Sequence, residues 1–216
     1  MVRAAVGGRM TAETTLARLF RWAPPTQLPI ALQMSRNNLP GLCGELGFTR
    51  GAEIGVWKGA FTAAFCEAHP SIHMLAVDPW LSYPAWLDTK NQMPPDQAVR
   101  IMEEAYQDAR TRLAPFRHTI VRTFSSDAAR DVPDRSLDFV YIDGNHVEAA
   151  VFEDLTLWAP KVRPGGFVAG HDYRAFKNKP TIHVIEAVQR YTTEHAIDPW
   201  FITAADRTPS FLWVVT

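Results

Sequence analysis

The 216 residues carry a net charge of −1, with 47% hydrophobic and 21% charged residues. That balance excludes a largely disordered or fibrous chain, and it offers no electrostatic footprint for nucleic acid. The length fits one domain with a small appendage.

In chain order, Met1 to Met10 lacks the apolar core of a signal peptide. Leu16, Leu19 and Phe20 share one face of a helix expected over 11–22, which Ala23-Pro24-Pro25 ends. Residues 26–50 read as loop-rich, with a short helix before Gly47. Cys43 and Cys66 lie outside any CxxC pair, so neither a disulfide framework nor a thiolate zinc site is expected, and a cytoplasmic setting is.

From Gly51 strands and helices alternate. Ala52 to Val56 is a strand and Ala60 to His69 a helix stopped by Pro70. Ile72 to Val77 is a second strand, followed by Asp78-Pro79 and an irregular stretch, 80–95, that carries Tyr83 and Trp86. Ala98, Met102, Ala105, Ala109 and Leu113 form the apolar stripe of a helix over 96–114. His118 to Phe124 is a third strand, and Asp127 to Arg130 a turn of helix. Leu137 to Ile142 is almost uniformly apolar, as a strand covered on both faces requires. Val147, Val151, Leu155 and Trp158 mark the next helix, on which Asp154 reads as a solvent-facing or capping residue. Pro164-Gly165-Gly166 turns into a fifth strand, Phe167 to Gly170. A helix over 181–194 and strands near 199–204 and 210–215 complete the pattern. The last two strands are joined by Ala205 to Pro209, too short for a parallel crossover, so they must form an antiparallel hairpin. No apolar run approaches the roughly 20 residues of a membrane span.

Alternation of this kind specifies an α/β fold with a mostly parallel, doubly wound sheet of seven strands. Ligands on such sheets bind beyond the carboxyl ends of the strands. Four strand ends carry chemistry there. Glu53-Ile54-Gly55-Val56-Trp57-Lys58-Gly59 is a glycine turn that permits close backbone approach, although a plain β-α turn would look the same. Trp57 stands where a dinucleotide motif would need its second glycine, which argues against a nicotinamide cofactor. Asp78, 23 residues beyond Gly55, suits the two hydroxyls of a ribose. Asp143-Gly144-Asn145-His146 and His171-Asp172-Tyr173 bring two acids and two histidines to one crevice, which suits catalysis or metal binding.

Together these residues resemble the class I S-adenosylmethionine-dependent methyltransferases. More narrowly, they resemble the branch of macrocin-type sugar O-methyltransferases and cephalosporin hydroxylase-like proteins. The similarity runs from about Gly51 to Tyr191. Its most specific piece is Asp138-Phe139-Val140-Tyr141-Ile142-Asp143-Gly144-Asn145-His146, with Asp154-Leu155, Arg163-Pro164-Gly165-Gly166 and His171-Asp172-Tyr173. The resemblance implies a Rossmann-like domain over 51–216; residues 1–50 lie outside it and are expected to form a lid or an oligomer contact. It implies that Gly55 and Gly59 pass the methionine part of the cofactor, with Asp143 nearby and Glu53 ordering the loop. Asp78 would hold the ribose, Pro79 and Trp80 would flank the adenine, and Ser125, Ser126 and Asp127 would reach it. Asp143, His171 and Asp172 would hold a divalent cation, Mg²⁺ or Mn²⁺, and His146 would be the general base. Several relatives have an acid where this chain has His171. The acceptor expected is a hydroxylated small molecule, with no nucleic-acid or membrane partner and a homo-oligomer compatible with the sequence. Two other classes fit part of the pattern: a nicotinamide-dependent oxidoreductase, and a nucleoside-binding module without catalysis.

Overall fold

In the computed structural model, the described residues are Thr15, 27–82, 93–177 and 182–216. The helix expected over 11–22, and Tyr83 and Trp86, fall outside them apart from Thr15, which is helical.

Among the described residues, eight strands form one sheet: β1 (Ile30–Leu32), β2 (Arg50–Ile54), β3 (His73–Val77), β4 (His118–Val121), β5 (Leu137–Ile142), β6 (Val162–Gly170), β7 (Phe201–Thr203) and β8 (Phe211–Val214). Their order is β1-β7-β8-β6-β5-β2-β3-β4. Only β8 runs antiparallel to its neighbours, β6 and β7, so the terminal hairpin stands as expected. The α-helices are α1 (Leu39–Glu45), α2 (Ala60–Ala68), α3 (Pro95–Leu113), α4 (Ser125–Ala128), α5 (Glu148–Trp158) and α6 (Val184–Glu194).

Two expectations need correction. The sheet has eight strands rather than seven, because Ile30–Leu32 adds a parallel edge strand beside β7, starting with the bond from the Ile30 amide to the Trp200 carbonyl. Three residues are too few to show an alternation that would mark them as a strand. Pro164-Gly165-Gly166 is not a turn before β6 but lies within it. Val162 already pairs with Leu137, and Gly165 and Gly166 exchange backbone bonds with Val215. Residues 27–50 are also packed into the domain: Leu39, Cys43, Leu46 and Phe48 share a core with Phe65, Phe139 and Phe167.

All six residues of β5 are buried, and they alternate between two cores. Phe139 and Tyr141 face the α1–α2 side, while Val140 and Ile142 face α5 and α6. Apolar cover on both faces explains the uniform composition of this strand. It also places β5 centrally, where its carboxyl end meets that of β2. The Asp143 amide donates to the Ile54 carbonyl at 2.7 Å. Chain connections leave β2 toward β3 on one side and return to β5 on the other, so the switch point of the sheet lies between them.

Candidate active site

Gly55, just past β2, has φ +89, and a Cβ there would stand 2.2 Å from the Asp143 carbonyl. Only glycine fits. The tight packing of these two strand ends forms the floor of a cavity of about 420 Å³. Asp78, Pro79 and Trp57 line one part of it, Phe124, Ser125 and Ser126 another, and Asp143 to His146 a third. The sequence-derived residues Gly55, Asp78, Pro79, Ser125, Ser126, Asp143 and His146 therefore do converge.

Asp78 is held by the backbone. Its Oδ2 accepts the Trp57 amide at 2.9 Å and its Oδ1 the Trp80 amide at 2.7 Å. Burial raises its pKa, and these bonds oppose the rise. Each oxygen keeps lone-pair capacity for a ligand hydroxyl.

Six expected residues do not line the cavity: Glu53, Gly59, Trp80 and Asp127, and His171 and Asp172 at the β6 end. Trp80 is buried in the core against Tyr106, with its indole N–H bonded to the Trp57 carbonyl at 2.8 Å, so it braces the wall from behind. Asp127 has a side chain 50% exposed and pairs with Arg130. Gly59 begins α2 at φ +73 and lets α3 approach, with Ala109 3.2 Å from where a Cβ would lie.

At the β5 and β6 ends, Asp143, His146 and Asp172 form a group whose ligand atoms all lie within 4.8 Å of one another. His146 Nε2 is 2.9 Å from Asp172 Oδ2 and 3.5 Å from Asp143 Oδ1. His171 Nδ1 sits farther out, 3.4 Å from Asp172 and 3.7 Å from Asp143. The histidine that joins the two carboxylates is thus His146. Burial would lower its pKa, but hydrogen bonds and charge from Asp143 and Asp172 outweigh that and push it up to about 9. Two carboxylates and an imidazole, from adjacent strand ends, are donors that suit a divalent cation such as Mn²⁺, whereas Mg²⁺ favours all-oxygen sites.

Two residues in this region were not picked out by the sequence. Arg36 Nη1 lies 3.5 Å from Asp143 Oδ2, bonds Tyr141 and stacks over Phe61 at 5.0 Å. It is aimed there by a capping turn at Ser35, and Asp206 of the β7–β8 loop grips both the Ser35 hydroxyl and the Arg36 amide at 2.6 Å. Nothing local in a loop-rich segment announces a partner so far away in sequence. The second is Asp154, expected to face solvent. It is instead 6% exposed, lines the cavity and accepts the Ser125 hydroxyl, so that reading is corrected. Its spacing held a usable signal, since Ala150, Val151 and Trp158, at i−4, i−3 and i+4, share its face of α5.

Glu53 is buried at the end of β2 and accepts the Thr62 hydroxyl of α2, which ties strand to helix across the glycine turn. Burial raises its carboxyl to about 8, and the nearby Asp143 charge adds to the rise.

A family model described as "Methyltransferase domain" matches residues 52–173, more than half of the chain. The chain belongs to this methyltransferase family. It is a class I S-adenosylmethionine-dependent methyltransferase. Among solved structures, a Staphylococcus aureus protein provisionally described as a caffeoyl-CoA O-methyltransferase superposes at TM-score 0.58, with 15% identity over 86% of this chain and 85% of that one. The O-methyltransferase TomG from Streptomyces achromogenes, involved in tomaymycin synthesis and solved with S-adenosylmethionine, gives 0.58 and 15% over 84% and 80%. A ribosomal protein L11 methylase from Lactobacillus delbrueckii gives 0.53 and 13% over 83% and 77%. Likeness at such identities speaks for the fold of the methyltransferase, not for its acceptor. No curated protein matches the sequence. No helix among the described residues is long and apolar enough to cross a membrane.

Proposed function

We propose that this methyltransferase transfers the methyl group of S-adenosylmethionine to a hydroxyl of a small molecule, a sugar or other natural-product intermediate, with a divalent cation at Asp143 and Asp172. The observation that carries the reading is one cavity that holds both the ribose-type acceptor Asp78 and Asp143 and His146, which form one group with Asp172. The cavity fits an adenosyl ligand: a glycine-only floor at Gly55, a backbone-fixed carboxylate with spare acceptor capacity, and a polar far end at Ser125 and Ser126.

When bound, the cofactor supplies an electrophilic sulfonium methyl. The chain's own residues supply position and proton handling. Asp78 anchors the ribose. Gly55 brings the backbone close to the methionine part, which directs the reactive end toward Asp143. Alignment of this sort contributes about 7–11 kcal/mol in the best cases. His146 turns outward four residues after β5, and its imidazole receives the hydroxyl proton at Nδ1, since Nε2 is the nitrogen held by Asp172. Asp172, 2.9 Å away, orients that ring. Arg36 balances Asp143 from the opposite side. A divalent cation between Asp143 and Asp172 would draw in vicinal hydroxyls, lower the pKa of one, and offset the carboxylate charge that holds a proton on His146.

The test is calorimetry with S-adenosylmethionine, its demethylated product and NAD, then mass-spectrometric detection of methyl transfer to a panel of vicinal diols and single alcohols, with Mg²⁺, with Mn²⁺ and with chelator. The proposal expects binding of the two sulfur compounds and cation-dependent methylation of diols. Binding of NAD alone would overturn it. Methylation undiminished in excess chelator would remove the cation.

A further inference from the structure

Asp154 is a buried carboxyl that the proposed chemistry does not use. Its Oδ1 accepts the Ser125 hydroxyl, and that same oxygen of Ser125 accepts the Trp158 indole N–H at 2.7 Å. This chain of bonds fixes the carboxyl plane. Among the described residues, Oδ2 accepts no hydrogen bond; it lies beside Gly144, 3.6 Å from where a Cβ would stand, and the side chain forms part of the cavity wall. Burial raises the group's pKa to about 7, with the Ser125 bond opposing the rise. A largely buried carboxyl with one oxygen facing the cavity and no protein donor on it is an acceptor open to a ligand N–H or O–H. The same cavity wall includes Phe124, Ser125, Ser126, Ala150 and Glu153, and the cavity also holds Asp78. A planar base extending from a ribose at Asp78 would meet that wall edge-on.

Resting on the cofactor reading above, we infer that Asp154 Oδ2 accepts a hydrogen bond from the exocyclic 6-amino group of the cofactor's adenine, and so selects adenosyl over other nucleosidyl ligands. Asp127, the acid that sequence points to for this end, is paired with Arg130 away from the cavity. Asp154 takes its place from a different element, α5. A site built around an N–H donor rejects an analogue that lacks it, because its own buried acceptor is then left unpaired.

The experiment compares S-adenosylhomocysteine with the analogue carrying hydrogen in place of the 6-amino group, by calorimetry on the wild-type protein and on Asp154→Leu. Wild type should prefer the amine by about 10- to 100-fold, the value of one hydrogen bond to a charged group. Asp154→Leu should bind both ligands alike. Equal affinity of wild type for the two ligands overturns the inference, as does a folded Asp154→Leu that keeps the preference. Should Asp154→Leu fail to fold, carboxyl ¹³C NMR of the wild type decides. The Asp154 pKa should fall on binding S-adenosylhomocysteine and not on binding the analogue; equal shifts mean that Asp154 is only a strut between α5 and Ser125. Failure of S-adenosylhomocysteine to bind at all overturns the cofactor reading itself, a result distinct from binding without preference.

Discussion

Asp78 and Asp143 both follow strands that pair with β2, one on each side of it, yet their surroundings differ in kind. Around Asp78 the bonded partners are backbone amides, those of Trp57 and Trp80, with the Arg122 charge acting from farther away. Around Asp143 they are charged: Arg36, His146 and His171 are all within 4 Å of its oxygens, with Asp172 just beyond. Fixed dipoles hold their arrangement with little dependence on pH or ions. A cluster of full charges redistributes protons and geometry whenever one charge is added or removed. The contrast assigns recognition to the first region and turnover to the second, and substitutions should separate along that line.

The largest effect is expected at His146. His146→Ala should lower kcat by about 10²–10⁴-fold while affinity for S-adenosylhomocysteine stays within about twofold, since no bond of His146 runs to the Asp78 end. The acidic limb of the wild-type pH–rate profile should vanish in the variant, and its survival would assign the proton to another group. Next comes the carboxylate pair. Asp172→Asn should weaken Mn²⁺ binding, followed by calorimetry, about tenfold or more, because cation affinity tracks ligand charge. An unchanged affinity would place the ion elsewhere.

A smaller effect concerns Glu53, whose buried carboxyl is raised from 4.5 to about 8. A raised pKa means that the folded state binds the proton more tightly. That contribution is full below pH 4.5 and is lost as pH rises toward 8. Melting temperatures should therefore show Glu53→Gln gaining on wild type between pH 4.5 and 8, and holding a constant difference above. A difference that does not vary with pH would mean that Glu53 is ionised in the folded chain.

The two regions were not equally legible in the sequence. Asp78 and Asp143 directly follow strands, and His146 and Asp172 lie within four residues of a strand end, so locating strands located them, and uniform apolar runs such as Leu137 to Ile142 made the strands plain. Gly55 was readable because a positive φ and a close approach leave no other choice. Arg36 was not, because what aims it is Asp206 on a distant hairpin, reached only after β1 and β7 pair. Asp127 lies at the surface and Asp154 in the cavity wall for a related reason: whether an acid turns inward depends on which helix face packs, and α4 is a single short turn whose acid stays at the surface. β1, three residues long, carries too little pattern for any periodicity to expose.

The division of labour is tested most directly by titrating S-adenosylhomocysteine into wild type, Asp78→Ala and His146→Ala under identical conditions. Asp78→Ala removes the acceptor for both ribose hydroxyls and should cost about 1.5–3 kcal/mol, roughly 10- to 150-fold in Kd, whereas His146→Ala should bind as wild type does. Full affinity in a folded Asp78→Ala, or a loss in His146→Ala as large as the one expected for Asp78, would contradict the account.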